Sequence, residues 1–153
     1  MIVVSDTSAL TSLLQISRED LLLRLYEEVK VPEAVEQELR RAHSSLPSWL
    51  QVISVRDRLA VTRLESQIDR GEAEAIVAMK EGHGDILLID ERRGRLVALR
   101  EGVPFIGLVG VLVSARRLGH IASLTEVLND LEFKADFRLA PRLKSEALRS
   151  VGE

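Results

Sequence analysis

The chain has 153 residues, 46% of them apolar and 29% charged, with a formal net charge of −3. That suffices for one domain with a substantial core, and it excludes both a disordered polymer and a surface bathed in a global basic field. Cysteine is absent and aromatic residues make up only 3%; this excludes disulfides, thiol catalysis and cysteine metal sites and argues against rows of base-stacking rings. No apolar run approaches a membrane span and no signal-type segment opens the chain, so a cytoplasmic protein without membrane attachment is expected. Arginine far outnumbers lysine, which favours forked contacts to phosphate or carboxylate over diffuse charge.

Ile2-Val3-Val4 reads as a short strand buried on both faces, stopping at Ser5-Asp6. Thr7 and Ser8 are good N-cap types for the helix that follows, Thr7 to Ile16 with Leu10, Leu13 and Leu14. A second helix from about Arg18 carries Leu21, Leu22, Leu25 and Tyr26, and Val29 to Val31 is a brief β-branched strand closed by Pro32. Proline suits the first turn of the next helix, Pro32 to about Ala42, in which Val35 and Leu39 face inward. After a loop at 43–48, Trp49 to Val55 alternates as a strand near a sheet edge. A helix with Leu59 and Ile68 is expected to end near Arg70-Gly71, with Glu72 opening another that buries Ala75, Ile76 and Met79 and stops at Gly82-His83-Gly84. Ile86 to Ile89 is the clearest buried strand, and it too stops at an acid, Asp90. A helix with Leu96, Val97 and Leu99, a short strand at 103–107 and an apolar helix from Leu108 to Leu118 follow. Two more helices complete the chain, and residues 123–150 are expected as a peripheral extension of a single domain spanning 1–153. Alternating strands and helices predict an α/β fold with a mostly parallel sheet.

Asp6 and Asp90 each stand where a strand ends, on the sheet edge where ligands of open α/β folds bind. Helix capping accounts for either one alone. It accounts for both less well once Glu38 and Glu72 are added, since a doubly wound sheet can bring all four to one pocket. Clustered carboxylates repel unless a cation neutralises them, and oxygen-only ligands favour Mg²⁺ or Mn²⁺ over zinc. A solvated helix face is the default for a lone glutamate, and Glu27, Glu28, Glu33 and Glu36 are left there. Glu74 competes with Glu72, but residues two apart on a helix point about 200° from each other. Glu72 shares the face of Ala75, Ile76 and Met79 and ranks first, with Glu74 in reserve. Arg92, Arg93 and Arg95, just past Asp90, are candidates to grip phosphate. His43, His83 and His120 have no metal-ligand spacing and receive no role.

Four blocks, Val3-Val4-Ser5-Asp6-Thr7-Ser8-Ala9-Leu10, Val31-Pro32-Glu33-Ala34-Val35-Glu36-Gln37-Glu38-Leu39, Gly71-Glu72-Ala73-Glu74-Ala75-Ile76 and Leu88-Ile89-Asp90-Glu91-Arg92-Arg93-Gly94-Arg95, resemble the PIN domain in content and order. They are similar to its prokaryotic branch with G-E-x-E-A-I and D-x-R-x-G-R signatures, and Gly107 to Leu112 extends the match. The resemblance implies a Rossmann-like three-layer fold and a metal-dependent ribonuclease, often the toxin of a toxin–antitoxin pair. It matches Asp6, Glu38 and Asp90 to the family's first, second and last acids. Glu72 falls where the third is commonly Asp, with Glu74 as the rival. Thr7 and Ser8 resemble the small hydroxyl residues after the first acid, with substrate contact as the implied role and helix capping as the plain one.

The leading expectation is therefore a Mg²⁺- or Mn²⁺-dependent endoribonuclease acting on RNA, with a small antitoxin protein as a candidate partner. The alternative is a PIN-fold nucleic-acid or partner-binding module without turnover. A haloacid-dehalogenase-like enzyme would want an Asp where Ser8 stands, and a receiver domain would want an acidic pair after its first strand. The apolar helix 108–118 has hydrophobic residues on more than one side, from which a homodimer is expected.

Overall fold

The computed structural model describes residues 1–153. Five strands, β1 (Ile2–Ser5), β2 (Glu28–Pro32), β3 (Leu50–Ile53), β4 (Ile86–Leu88) and β5 (Phe105–Ile106), alternate with nine helices. These are α1 (Thr7–Gln15), α2 (Asp20–Leu25), α3 (Glu33–Ala42), α4 (Arg58–Leu64), α5 (Arg70–Lys80), α6 (Arg92–Arg100), α7 (Leu108–Arg117), α8 (Leu124–Lys134) and α9 (Pro141–Ser150). The strands form one sheet in the order β3-β2-β1-β4-β5, and every neighbouring pair is parallel. β1 lies at the centre, with Val3 opposite Val29 on one side and Ile86 on the other, and with Ser5 opposite Leu88.

Successive strand residues point to opposite faces, and each face has its own core. Val3, Val29, Val31 and Leu88 pack with Leu10 and Leu13 of α1, Leu108 and Leu112 of α7 and Leu124 and Leu128 of α8. Val4, Leu87 and Ile89 pack on the other face with Val61 of α4, Ile76 of α5 and Val97 of α6. Helices on both faces of a parallel sheet give the three-layer α/β arrangement that the alternation of elements predicts.

Several local expectations are corrected. α4 ends at Leu64, not near Arg70-Gly71, because Asp69 caps a new helix that begins at Arg70. Leu59, Leu96 and Leu99 face solvent; Ala60, Val61 and Leu64 of α4 and Gly94, Val97 and Ala98 of α6 are buried instead. Asp6, not Thr7 or Ser8, caps α1, its Oδ1 accepting from the Ala9 amide at 3.0 Å. Pro32 precedes α3 as the N-cap residue rather than opening its first turn. α8 belongs to the core, since Leu124, Val127, Leu128 and Leu131 are fully buried, whereas α9 buries only Ala147. α7 likewise buries Leu108, Val109, Val111, Leu112 and Ala115 within the domain, so its apolar character is accounted for without a second copy.

Candidate active site

The strand order reverses between β1 and β4: one leads outward to β2 and β3, the other to β5. A crevice opens at such a switch point beyond the carboxyl ends of the strands, and the two strands flanking it run directly into Asp6 and Asp90. The Asp6 amide donates to the Leu88 carbonyl at 3.0 Å, continuing the ladder by one residue and holding the first acid against the second strand. Asp6 is only 1% exposed. Its Oδ1 caps α1, while Oδ2 is buried without any hydrogen-bond partner. Burial pushes its pKa up to about 8; the Ala9 amide opposes the rise, and the carboxylates of Asp90 and Glu72 add to it. Asp90 and Glu72 are thus the carboxylates that bear on Asp6.

Glu72 arrives on the first turn of α5. The Asp69 side chain accepts from the Glu72 amide at 2.8 Å, and Glu72 Oε1 accepts from the Asp69 amide at 3.4 Å, a reciprocal cap. Its Oε2 is buried and unpartnered. Burial raises the pKa to about 7, and the carboxylates of Asp69 and Glu91 push in the same direction. The Asp69-Arg70-Gly71-Glu72 spacing is the sequence signature of this capping box. α6 approaches Glu72 through Gly94, where a Cβ would stand 2.4 Å from Glu72 Oε2 and 2.6 Å from Ile89 Cδ1. Both are ends of flexible side chains, so Gly94→Ala is expected to fold but to displace the Glu72 carboxylate. Near-native circular dichroism with at least roughly tenfold weaker Mn²⁺ affinity by calorimetry is the expected pair of results, in line with other losses of support around metal ligands.

Asp90 differs in being partnered. Arg95 donates to its Oδ1 at 2.9 Å and to the Ile89 carbonyl at 3.0 Å, and the Leu108 amide at the start of α7 donates to the same carboxylate at 3.1 and 3.2 Å. Burial still raises its pKa from the ordinary value, against the lowering effects of the Leu108 amide and Arg95. Arg95, a candidate phosphate contact in the sequence, is engaged with Asp90. Its guanidinium lies over Gly107, where any Cβ would meet it at 2.0 Å.

Glu38 is half-buried at the outer edge, close enough to α5 that a Cβ on Gly71 would meet its Oε1 at 2.7 Å. It is not among the leading influences on Asp6, Glu72 or Asp90. Glu74 points away from the acids. Its carboxylate, 3% exposed, accepts from the Ala34 amide at 3.0 Å and pairs with Arg58 at 2.9 Å and Arg70 at 3.5 Å, tying α3, α4 and α5 together. The two glutamates should therefore separate by assay. Glu74→Ala is expected to cost about 1–3 kcal/mol of stability, the usual range for a hydrogen-bonded charged group. Glu72→Gln is expected to melt no lower than wild type but to weaken Mn²⁺ binding more than Glu74→Gln does. Denaturant titration and calorimetry read the two effects.

Ser8 is exposed and lines clefts on both sides of the acids, whereas the Thr7 hydroxyl is buried without a partner. One cleft holds about 500 Å³ beside Asp90, Arg95 and Ser12 and is walled by Val109, Phe137 and Leu143; the other, about 380 Å³, lies beside Glu72, Asp69 and Arg93. Arg92 and Arg93 are exposed and form no ion pair. Neither cleft contains histidine. No three acids stand together as a ligand set, and Asp90 is paired with Arg95. The donors nonetheless suit a hard divalent cation: two buried carboxylate oxygens lack any partner, and the acids around them are oxygen ligands only.

The model of the DUF3368 family, a PIN domain, matches residues 2–153. No curated protein and no solved structure matches the chain. The family match covers all five strands and all nine helices, including the switch-point acids, and the chain belongs to the PIN-domain family.

Proposed function

We propose that this PIN domain is an endoribonuclease that hydrolyses phosphodiester bonds of RNA with Mg²⁺ or Mn²⁺. The observation that carries the reading is the pair of unpartnered, buried oxygens of Asp6 and Glu72 beside Asp90 at the switch point. Asp6, Glu72 and Asp90 are the residues to hold the ion, with Glu38 at the rim. When bound, the ion supplies a Lewis acid and a water ionised near neutral pH. The Ala9 amide fixes the Asp6 rotamer through Oδ1 and leaves Oδ2 free. The Asp69 cap does the same for Glu72, leaving Oε2 free. Ser8, exposed between the two clefts, is the hydroxyl we propose to donate to a phosphate oxygen, with the exposed Arg92 as a further candidate for substrate contact; the Thr7 hydroxyl is buried and Arg93 stands among the acids of the smaller cleft, so neither is assigned that contact.

Antitoxin-free protein is expected to cleave single-stranded RNA with Mn²⁺ and to stop on addition of EDTA. We place the protein in the cytoplasm as the toxin of a toxin–antitoxin pair, with a small antitoxin as partner. No helix is long and apolar enough to cross a membrane. The homodimer we propose pairs through a surface other than α7, whose apolar residues lie inside the domain. One observation favours a second reading, a PIN-fold RNA- or partner-binding module without turnover: Asp90 is already neutralised by Arg95. Wild-type protein whose melting curve ignores saturating Mn²⁺ and which leaves RNA intact would decide for that reading.

A further inference from the structure

The two clefts that meet at Ser8 and Glu91 are chemically unlike. The smaller is strongly acidic: Glu65, Asp69, Glu72 and Glu91 line it against a single arginine, Arg93. A phosphodiester chain entering that side meets repulsion beyond the ion. The larger is less acidic: Asp90, Glu91 and Asp136 stand against Arg95, itself paired with Asp90, and Arg138, and its apolar wall includes Phe137, the one aromatic residue in either cleft. Its volume, about 500 Å³, falls in the range of small-ligand sites, roughly 300–1,000 Å³.

The wall is built by a chain reversal after α8. Asp136 takes a left-handed conformation, φ 51°, and the Phe137 amide returns to the Leu131 carbonyl at 3.0 Å. Asp is among the residues that tolerate this region best. Beyond the turn, Phe137 is half-buried against the core of α7 and α8 while lining the cleft, so its ring is braced from behind. Arg138 beside it is exposed and forms no ion pair, unlike Arg95.

We infer that the cleft of Phe137, Arg138 and Ser12 is a subsite for one unpaired nucleotide of single-stranded RNA, its base against the Phe137 ring and its phosphate toward Arg138. The inference deepens the ribonuclease reading and rests on it for the identity of the polymer. It also makes the enzyme one-sided: RNA is gripped on the Asp90 side of the acids, and the acidic cleft makes little contact. A paired base must give up its stacking and pairing, roughly a few kcal/mol, to reach a single ring, so duplex RNA is the poorer ligand. The low aromatic content excludes a platform of several rings but not one position.

The test is fluorescence anisotropy with a short fluorescein-labelled single-stranded RNA, using Asp6→Asn protein so that the probe stays intact. Removing one base–aromatic stack costs roughly 1–3 kcal/mol, about a 5- to 150-fold loss of affinity. Phe137→Ala is expected to weaken binding within that range, and Phe137→Trp to restore it. Phe137→Leu, which keeps the packing against the core, separates loss of stacking from loss of fold and should remain weak. Arg138→Gln should lower the slope of log affinity against log salt by about 0.7, the value for one single-strand phosphate contact. Equal affinity of all four variants and the parent overturns the subsite, whether or not wild type cleaves. If affinity falls as described while wild type with Mn²⁺ leaves RNA intact, the subsite stands and the ribonuclease reading fails. If no single-stranded RNA binds at all, both fall.

Discussion

Asp6→Asn is expected to reduce Mn²⁺-dependent RNA cleavage by a factor of at least roughly 10²–10³, the scale on which preorganised electrostatic groups act in catalysis. The same substitution should raise the melting temperature of the metal-free protein. Both results follow from one geometry. Asparagine keeps an oxygen for the Ala9 amide, so the cap on α1 survives. It replaces the orphaned Oδ2, buried and repelled by Asp90 and Glu72, with a neutral group. Removing a buried unpaired carboxylate relieves the fold while removing the oxygen offered to the cation, an exchange of stability against function expected at strained sites. Loss of activity with a lower melting temperature would indicate that Asp6 acts mainly as a cap. Unchanged cleavage would move the chemistry elsewhere.

The second large effect is the pH dependence of stability without metal. Asp6 and Glu72 hold their protons more tightly folded, with pKa values of about 8 and about 7 against ordinary values of 3.8 and 4.5. Between these limits the native state binds more protons than the unfolded chain, so unfolding free energy falls as pH rises. The contribution is fully present below about pH 4 and is lost by about pH 8. At ~1.4 kcal/mol per unit of pKa difference, the buried Asp6 alone makes the loss of order a few kcal/mol, or on the order of 10 °C in melting temperature for a domain of this size. Glu153 runs the other way: the amides of Thr125 and Leu124 and the Thr125 hydroxyl hold its pKa down to about 2 from 4.5, so what it adds is present above about pH 4.5 and is lost as pH falls from there to about 2. If Asp6 and Glu72 hold the ion as proposed, it competes with protons for them, so stabilisation by Mn²⁺ should grow from pH 5 to pH 8. Melting curves in paired samples with Mn²⁺ or EDTA measure it. A Mn²⁺ effect that is flat with pH would show that the ion binds away from these two acids.

The alternation of elements and the acids at two strand ends were legible because they are local. Val3-Val4 and Leu87-Leu88-Ile89 are apolar runs that only a doubly covered sheet can bury, and each stops at an aspartate. The split between α4 and α5 was also local, in the Asp69–Glu72 capping box, but a run of helix-compatible residues obscured it. Leu59, Leu96 and Leu99 misled because an exposed leucine obeys helical period as well as a buried one. The partners of Glu74 were beyond reach: Ala34 and Arg58 come to it from α3 and α4, and no spacing along the chain encodes that meeting. The engagement of Arg95 with Asp90 and the wall made by Phe137 arise in the same way, from how α6 and the α8–α9 turn pack.

The seam between β1 and β4 also has a meaning in time. β1 is made before the other four strands of the sheet; it pairs with β2 through one crossover, and β2 in turn pairs with β3. The other edge of β1 waits for β4, which arrives only after α3, α4 and α5 have been made. Closing a loop of that length is among the slower events available to the chain. Asp6 and Asp90 sit on the two sides of this seam, so the pocket does not exist in any partly folded form that lacks the β1–β4 pairing. On the proposed reading, cation uptake would report completion of the sheet rather than collapse, and a ribosome-bound fragment ending before Asp90 is expected to bind none.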